Sequence, residues 1–464
     1  MPERRPTHAK RAHAKQMNAK RAYARSKPKQ PTRMPKATPP QSSHGQTLIT
    51  RRHFLYGAVG VGAAAVLAGG GFALYSAAQP SADEESISVL EVPENAVSVL
   101  GDDQAAIAED DLANYVSLVG SFDLPYGALL WNNNDSIAAC LLPTEETAKP
   151  LAYIALLYLG SGELATVLEE AVGQSEGFDI YDVRASEQGL IWTEANILDG
   201  IWRIYTASLN DGVLGSPTLV DEGDSGWETP TLAAVGMNAF WQVLPALGGK
   251  KTAEDSLLKR ARFGSGSTAE VVYSSTGRMS TPPYASLDGI VITPRTNTSS
   301  VNHQLTLLDA DSCEVRDKLV LPTSMKPLEA GYGDNGFTFM FDAIYNYGGG
   351  IANLGTYTPA QSHGTEDYEG LSWYRFTRTP TAAPSWSNGW FIVKSTYSVC
   401  GVDIGSLTYF ALPLESGHDD YGDYLATTGS TSTFVTYTNI NDTAVDGTKK
   451  KLCRVRVWAP IALA

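Results

Sequence analysis

The 464-residue chain is short of cysteine and histidine. It has four cysteines (Cys140, Cys313, Cys400 and Cys453), and only His303, His363 and His418 lie beyond residue 53. Neither type shows the close spacing of a zinc site. Helical periodicity is equally scarce. The one good stretch, TAEDSLLKRARF at 252–263, reads as a short helical segment. Basic charge is scarce past residue 52. Of 35 Lys and Arg, 14 lie in 1–52 beside one of the 50 acids, so the remainder holds 21 bases against 49 acids, a net of -28. A body this acidic repels phosphate backbones, which excludes nucleic acid as its partner.

Residues 1–49 are rich in Lys, Arg, Ala and Pro and have almost no apolar pattern. They cannot bury enough surface to offset chain entropy, so they read as a disordered basic tail. From Phe54 to Ala78 there are 25 residues without a charge. That length suffices to span a bilayer, which takes about 20. Six glycines and eight alanines nevertheless keep the run only mildly hydrophobic. A basic flank, an apolar run and the small residues of YSAAQ have the three-part layout of an export signal, with a cut after Ala78. Thr50-Arg51-Arg52-His53-Phe54-Leu55 resembles the bacterial twin-arginine (Tat) signal, whose pattern is Ser/Thr-Arg-Arg-x-Phe-Leu. Tyr56 stands where that family often has Lys. The resemblance covers residues 50–80 and implies Tat translocase as an export partner and a body exported already folded. The segment 50–78 is thus a signal or an uncleaved transmembrane anchor. In either case the rest of the chain lies outside the cytoplasmic membrane, tethered to it or secreted.

Residues 79–112 are acidic and poor in aromatics, and read as a linker. From 113 to 464 the pattern changes to short apolar runs broken by Gly, Pro, Asn and Asp, which indicates an all-β domain. One unit recurs: a Pro-led entry, a Gly turn, then an aromatic-rich strand. It appears at 121–143, 178–195, 229–245, 281–295, 326–342 and 397–413. Six copies predict a six-bladed β-propeller, with tandem β-sandwiches as the alternative. Strand–tip–strand units such as IWRIYTASLNDGVLGSPTLVDEGD are similar in pattern to TolB-type propeller blades. Packing of blade on blade predicts aromatics at equivalent strand positions, and Trp131, Trp192, Trp241, Phe339 and Tyr409 are assigned that role.

Several short matches to catalytic motifs have simpler explanations. Gly223-Asp224-Ser225-Gly226 looks like the nucleophile motif of chymotrypsin-type serine proteases, but Trp227-Glu228 follow it where that family continues Gly-Pro, and none of His303, His363 and His418 sits in an Ala-Ala-His-Cys context. An inter-blade turn explains it. Ser256-x-x-Lys259 lacks the partner motifs of penicillin-recognising enzymes. Calcium needs clustered oxygens, and two groups offer them: Asp309 and Asp311 with Glu314, and Asp419, Asp420 and Asp423. Turn chemistry alone also explains both, so no cofactor is expected. Cys400 and Cys453 fall in the same predicted last blade, where an exported protein would hold a disulfide. Buried free thiols are the alternative. Trp373, Trp386 and Trp390 lie in a Pro/Ser-rich stretch that reads as a rim loop, where exposed rings would stack on a glycan or peptide.

These features together predict an exported, membrane-tethered propeller that binds or scaffolds an envelope protein or glycan. The alternative is a glycan-active hydrolase or lyase. That would require acids such as Glu194, Asp288, Asp334 or Asp342 to converge on the channel mouth. A large exposed apolar patch would instead favour a protein partner.

Overall fold

A computed structural model describes residues 89–463 apart from 91–96, 101–105, 146–150, 297–301, 324, 334–335, 344–352, 357–372, 377–381, 395–397, 407, 444–446 and 448. The basic tail and the segment 50–78, with Arg51, Arg52, Phe54 and Leu55, lie outside the described residues. Among the described residues, no helix is long and apolar enough to cross a membrane.

The described residues form seven sheets of four or five strands, nearly all meandering. Blade 1 comprises Leu129–Trp131, Ile137–Pro143, Ala152–Tyr158 and Leu164–Leu168. Blade 2 comprises Asp179–Ser186, Gly189–Asn196 and Ile201–Asn210, with Val213–Leu214 and Thr218–Gly223 at its edge. Blade 3 comprises Thr231–Val235, Asn238–Val243, Ser256–Arg262 and Glu270–Ser275. Blade 4 comprises Tyr284–Ser286, Gly289–Ile292, Gln304–Asp309 and Val315–Val320. Blade 5 comprises Met325–Gly333, Gly336–Ala343, Asn353–Thr356 and Trp373–Phe376. Blade 6 comprises Ser385–Ser387, Trp390–Lys394, Val399–Asp403 and Thr408–Ala411.

Blade 7 combines Tyr424–Leu425, Phe434–Thr443 and Lys449–Pro460 with an outer strand from far upstream, Val116–Leu124. The six sequence units fall in six different sheets, except that 121–143 begins in the outer strand of the seventh, and this seventh sheet completes the ring. It lacks the recurring hairpin because its inner strand is only two residues long and its outer strand is borrowed.

Seven apolar clusters join the blades in succession. Trp192 packs with Leu141 between blades 1 and 2, and Trp241 with Ile191 between blades 2 and 3. The series continues to Phe410 with Phe434 between blades 6 and 7, and Cys140 with Val455 between blades 7 and 1. The last contact closes the circle and sets the architecture as a propeller rather than packed sandwiches. The fourth residue of each second strand is buried: Cys140, Trp192, Trp241, Ile292, Phe339, Val393 and Tyr437. Trp131 lies in a first strand and Tyr409 in a fourth, so only three of the five aromatics assigned as equivalent share this position.

The stretch 252–263 is not helical. Ser256–Arg262 is the third strand of blade 3. Apolar residues packed on both faces of an inter-blade strand erase its period of two, and the spacing then imitates a helix. The acidic segment before the first blade is also more than a linker. Leu90 is buried against blades 4 and 5, Val97–Leu100 pairs with Trp373–Phe376, and Ala106 bridges Tyr409. This segment runs along the outer edges of blades 5 and 6 before it joins blade 7.

The ring's centre is crossed by the chain that follows Leu425. Thr427 bridges Asn132 of blade 1, while Gly429–Thr431 pairs in parallel with Ser385–Ser387 of blade 6. The Gly429 N–H donates to Tyr284 Oη at 2.6 Å, and Tyr284 donates to the Pro384 carbonyl at 2.6 Å. A Cβ on Gly429 would lie 3.1 Å from the Ala285 carbonyl oxygen and 3.2 Å from Ser286 Cα, at φ +77°. Gly429→Ala is therefore expected to lower stability by about 1–3 kcal/mol, measured by urea unfolding. A neutral result would show that this segment does not sit against blade 4.

Candidate functional site

In a meandering four-stranded blade, the connection to the next blade and the loop between its second and third strands emerge at one end. That end of the ring is called the loop face here. On blades 1–3 it carries Leu151 (47 % exposed), Val172 (47 %), Ile197 (50 %), Leu198 (98 %), Ile201 (40 %) and Leu247 (55 %). These are large aliphatic side chains held in water on neighbouring loops.

The loops are tied to one another. The Glu194 carboxylate is buried and accepts the backbone N–H groups of Val172 at 2.6 Å and Gly173 at 2.9 Å, and Trp192 Nε1–H at 3.0 Å. It thereby fastens the blade 1–2 connection to the second strand of blade 2. Gly200 passes so close to Ser225 that a Cβ on it would lie 2.8 Å from the serine Cβ. Lys251 stands 4.6 Å above the Trp227 ring and 3.6 Å from Asp224, which links the connection leading into blade 3 to that blade's own long loop. Gly223-Asp224-Ser225-Gly226 is thus an inter-blade turn, in which Asp224 Oδ1 accepts the Gly226 N–H at 2.8 Å.

A second feature of the loop face is a charged cluster at the junction of blades 6 and 7. Asp423 is fully buried. Its Oδ2 accepts a bond from Arg456, and its Oδ1 has no partner. Arg456 also donates to the Pro413 carbonyl at 2.9 Å and lies 3.5 Å from Glu415. Lys394 donates to the Tyr421 carbonyl at 2.7 Å. Burial raises the Asp423 pKa to about 6 even though Arg456 and Lys394 pull it down. Such perturbed carboxyls concentrate at functional sites, although structural ion networks produce them as well.

The sequence candidates are dispersed. Asp419 is half-buried and accepts the Tyr421 N–H at 2.9 Å, whereas Asp420 is exposed and Asp423 faces Arg456. These three acids do not form a ligand group, and no group able to hold a metal ion occurs among the described residues. Asp309 Oδ1 accepts the N–H groups of Asp311 at 2.9 Å and Ser312 at 2.7 Å, its Oδ2 meets Arg316, and Asp311 accepts from Asn238 at 2.8 Å. These oxygens are engaged in turn capping and pairing.

Trp386 and Trp390 are 0 % and 2 % exposed and pack in the core. The rim-stacking reading of these two rings is therefore corrected. Asn388 and Gly389, at φ 50° and 86°, make a two-residue hairpin turn, so SWSNGW is a strand pair rather than a loop. Trp373 lies in a blade 5 strand.

The cysteines are free thiols. Cys400 lies in blade 6, while Cys453 shares the blade 7–1 cluster with Cys140. The expected Cys400–Cys453 bridge does not form, because the two residues belong to different blades. Ser256 and Lys259 are three apart on a strand and project to opposite faces, so they form no catalytic pair. Among the acids proposed for catalysis, Glu194 caps the blade 1–2 connection in blade 2 and Asp288 binds Arg316 at the opposite end of blade 4. Asp334 lies outside the described residues, and Asp342 lies in a blade 5 strand.

Sequence reasoning missed the aliphatic loop residues. Their signal was present in NILDGI, where Ile197 and Leu198 sit inside a turn that should be polar.

No protein-family model matches this chain, and no curated protein matches it. Among solved structures, a prolyl endopeptidase is similar with a TM-score of 0.46 at 10 % identity, over 72 % of this chain and 47 % of that one. This chain thus spans about half the length of that enzyme. An oligogalacturonate lyase in complex with manganese gives 0.42 at 9 % identity, over 74 % and 92 %. The β-propeller domain of the Trilobed protease from Pyrococcus furiosus gives 0.41 at 14 % identity, over 70 % and 97 %. At these values the likenesses carry no statement about activity, and what is established for this chain is a β-propeller fold.

Proposed function

We propose that this chain is an exported, membrane-tethered propeller that binds a protein partner at the cell envelope through its loop face. The observation that carries the reading is the aliphatic crest on blades 1–3, with Leu198 at 98 % exposure among five other exposed aliphatics. Large exposed apolar patches mark interaction sites, and six exposed aliphatics on neighbouring loops at one end of the ring fit such a surface. The chemistry of the crest favours a protein over a glycan. Sugars stack on aromatic faces, and the crest is aliphatic while Trp386 and Trp390 are buried. The twin-arginine resemblance of residues 50–55 and the uncharged run to Ala78 supply the route out of the cytoplasm and the tether.

A Leu198→Asp/Leu247→Asp chain is expected to fold and export like the parent but to lose its envelope partner in detergent co-purification. Leu287→Asp, at an exposed turn on the opposite end, is expected to keep it. Retention by the double variant would contradict the proposal. The location is tested separately: Arg51→Lys/Arg52→Lys is expected to leave the chain in the cytoplasm, and normal export of that variant would exclude the twin-arginine route.

A further inference from the structure

Seven arginines of the body, Arg278 and Arg316 among them, each meet a carboxylate. Arg262, which is exposed, and Arg295, which is part-buried, meet none among the described residues, and the Arg295 Nε is buried and has no hydrogen-bond partner. A buried donor without an acceptor is destabilising, and a charged one more so. In a body with a large excess of acids, the lack of one at this position suggests that the acceptor comes from outside the chain.

We propose that the loop face of blade 4 holds an oxyanion site formed by Arg295, Ser280 and His303, with Lys326 adding charge. Its ligand is a group bearing a carboxylate, sulfate or phosphate. This site is independent of the aliphatic crest on blades 1–3.

The geometry is built from two loops. Arg295 and His303 are joined by an antiparallel bridge where the second and third strands of blade 4 are connected. The Arg295 side chain lies along Gly277, where a Cβ would stand 3.4 Å from the arginine Cδ. Ser280 Oγ lies 3.0 Å from His303 Nδ1. The serine is held in place by its own N–H and that of Thr281, which donate to Thr293 Oγ1 at 3.0 and 2.8 Å. A guanidinium is suited to this role because its donors match the paired oxygens of an oxyanion.

Burial first, then the charges of Arg295 and Lys326, lower the His303 pKa to about 4. The imidazole is thus neutral at pH 7. With its proton on Nδ1 it donates to Ser280 Oγ, and the serine hydroxyl proton is free to turn towards the anion. The same electrostatics disfavour a nucleophilic Ser–His pair. A general base works best with a pKa near the working pH, and among the described residues no carboxylate bonds to His303.

The test follows the His303 imidazole resonance by NMR in the full-length chain in detergent, assigned by its loss in His303→Gln. The probes are sodium sulfate, inorganic phosphate and acetate, added at constant ionic strength. At least one is expected to give a saturable shift, weakened about tenfold or more in Arg295→Met, with the His418 resonance unmoved. A response to acetate identifies a carboxylate ligand, and a response to sulfate or phosphate alone identifies a tetrahedral oxyanion. Ser280→Ala keeps Arg295 in place and is expected to weaken binding severalfold, so it serves if Arg295→Met does not fold. The proposal is overturned if no anion moves His303, if Arg295→Met responds as the parent does, or if Ser280→Ala binds like the parent.

Discussion

Arg456→Met is expected to destabilise the chain by about 3–5 kcal/mol at pH 7, because it strands the buried Asp423 carboxylate. The loss comes from an uncompensated buried charge rather than from a lost attraction. Asp423→Leu/Arg456→Met is therefore expected to recover most of it, since an apolar pair of similar volume is often neutral. Urea unfolding of the two single variants and the double checks this. A double variant as unstable as the worse single would contradict the account.

The same site sets a pH dependence whose sign can be worked out. Asp423 has a folded pKa of about 6, above an ordinary carboxyl, so the folded state binds more protons than the unfolded one between about pH 4 and 6. Stability from this group falls as pH rises through that window, by roughly 3 kcal/mol at most. His303 behaves in the opposite way. Its folded pKa of about 4 lies below the ordinary histidine value of 6.5, so its contribution rises over pH 4 to 6.5. The two slopes offset each other in the parent chain. Asp423→Asn should reveal a rise in stability with pH across that range, and His303→Gln a fall.

The second large effect concerns ring closure. A chain beginning at residue 125 loses Val116–Leu124, which pairs along Lys449–Pro460 from Val116↔Pro460 to Leu124↔Cys453. It also loses the Asp123–Arg454 ion pair and the packing of Leu124 and Phe122 in the blade 7–1 cluster. With about 1 kcal/mol per ladder bond and buried apolar area in addition, the loss is expected to exceed about 5 kcal/mol and to abolish a single cooperative transition. A chain beginning at 101, which lacks Leu90 and the strand Val97–Leu100 but keeps the closing strand, should retain one transition at a lower midpoint. Equal midpoints for the parent and the chain beginning at 125 would show that the closing strand is dispensable.

The hairpins of blades 2–5 were legible because Gly, Asn and Asp turns separate runs that alternate or are apolar throughout. Trp192, Trp241 and Phe339 then mark the repeat at one strand position. Blade 7 was not legible. Its outer strand is more than 300 residues from its neighbour in sequence, and local pattern carries no such pairing. The hairpin of Trp386 and Trp390 was hidden by its Pro and Ser neighbours, although Asn388-Gly389 is itself a strong turn signal. Asp423 was visible as one acid among three. Its burial against Arg456 depends on a strand that follows 30 residues later, which composition does not show. The exposure of Leu198 required knowing that its turn lies at the end of a blade rather than beneath another element.

Photo-crosslinking in whole cells tests the binding reading most directly. A photoreactive residue is placed at 198 on the loop face or at 287 on the opposite end, where Leu287 is 64 % exposed. The account predicts a discrete protein adduct from position 198 and none from 287. Adducts from 287 alone, equal adducts from both, or none from 198 would contradict a recognition surface on the loop face.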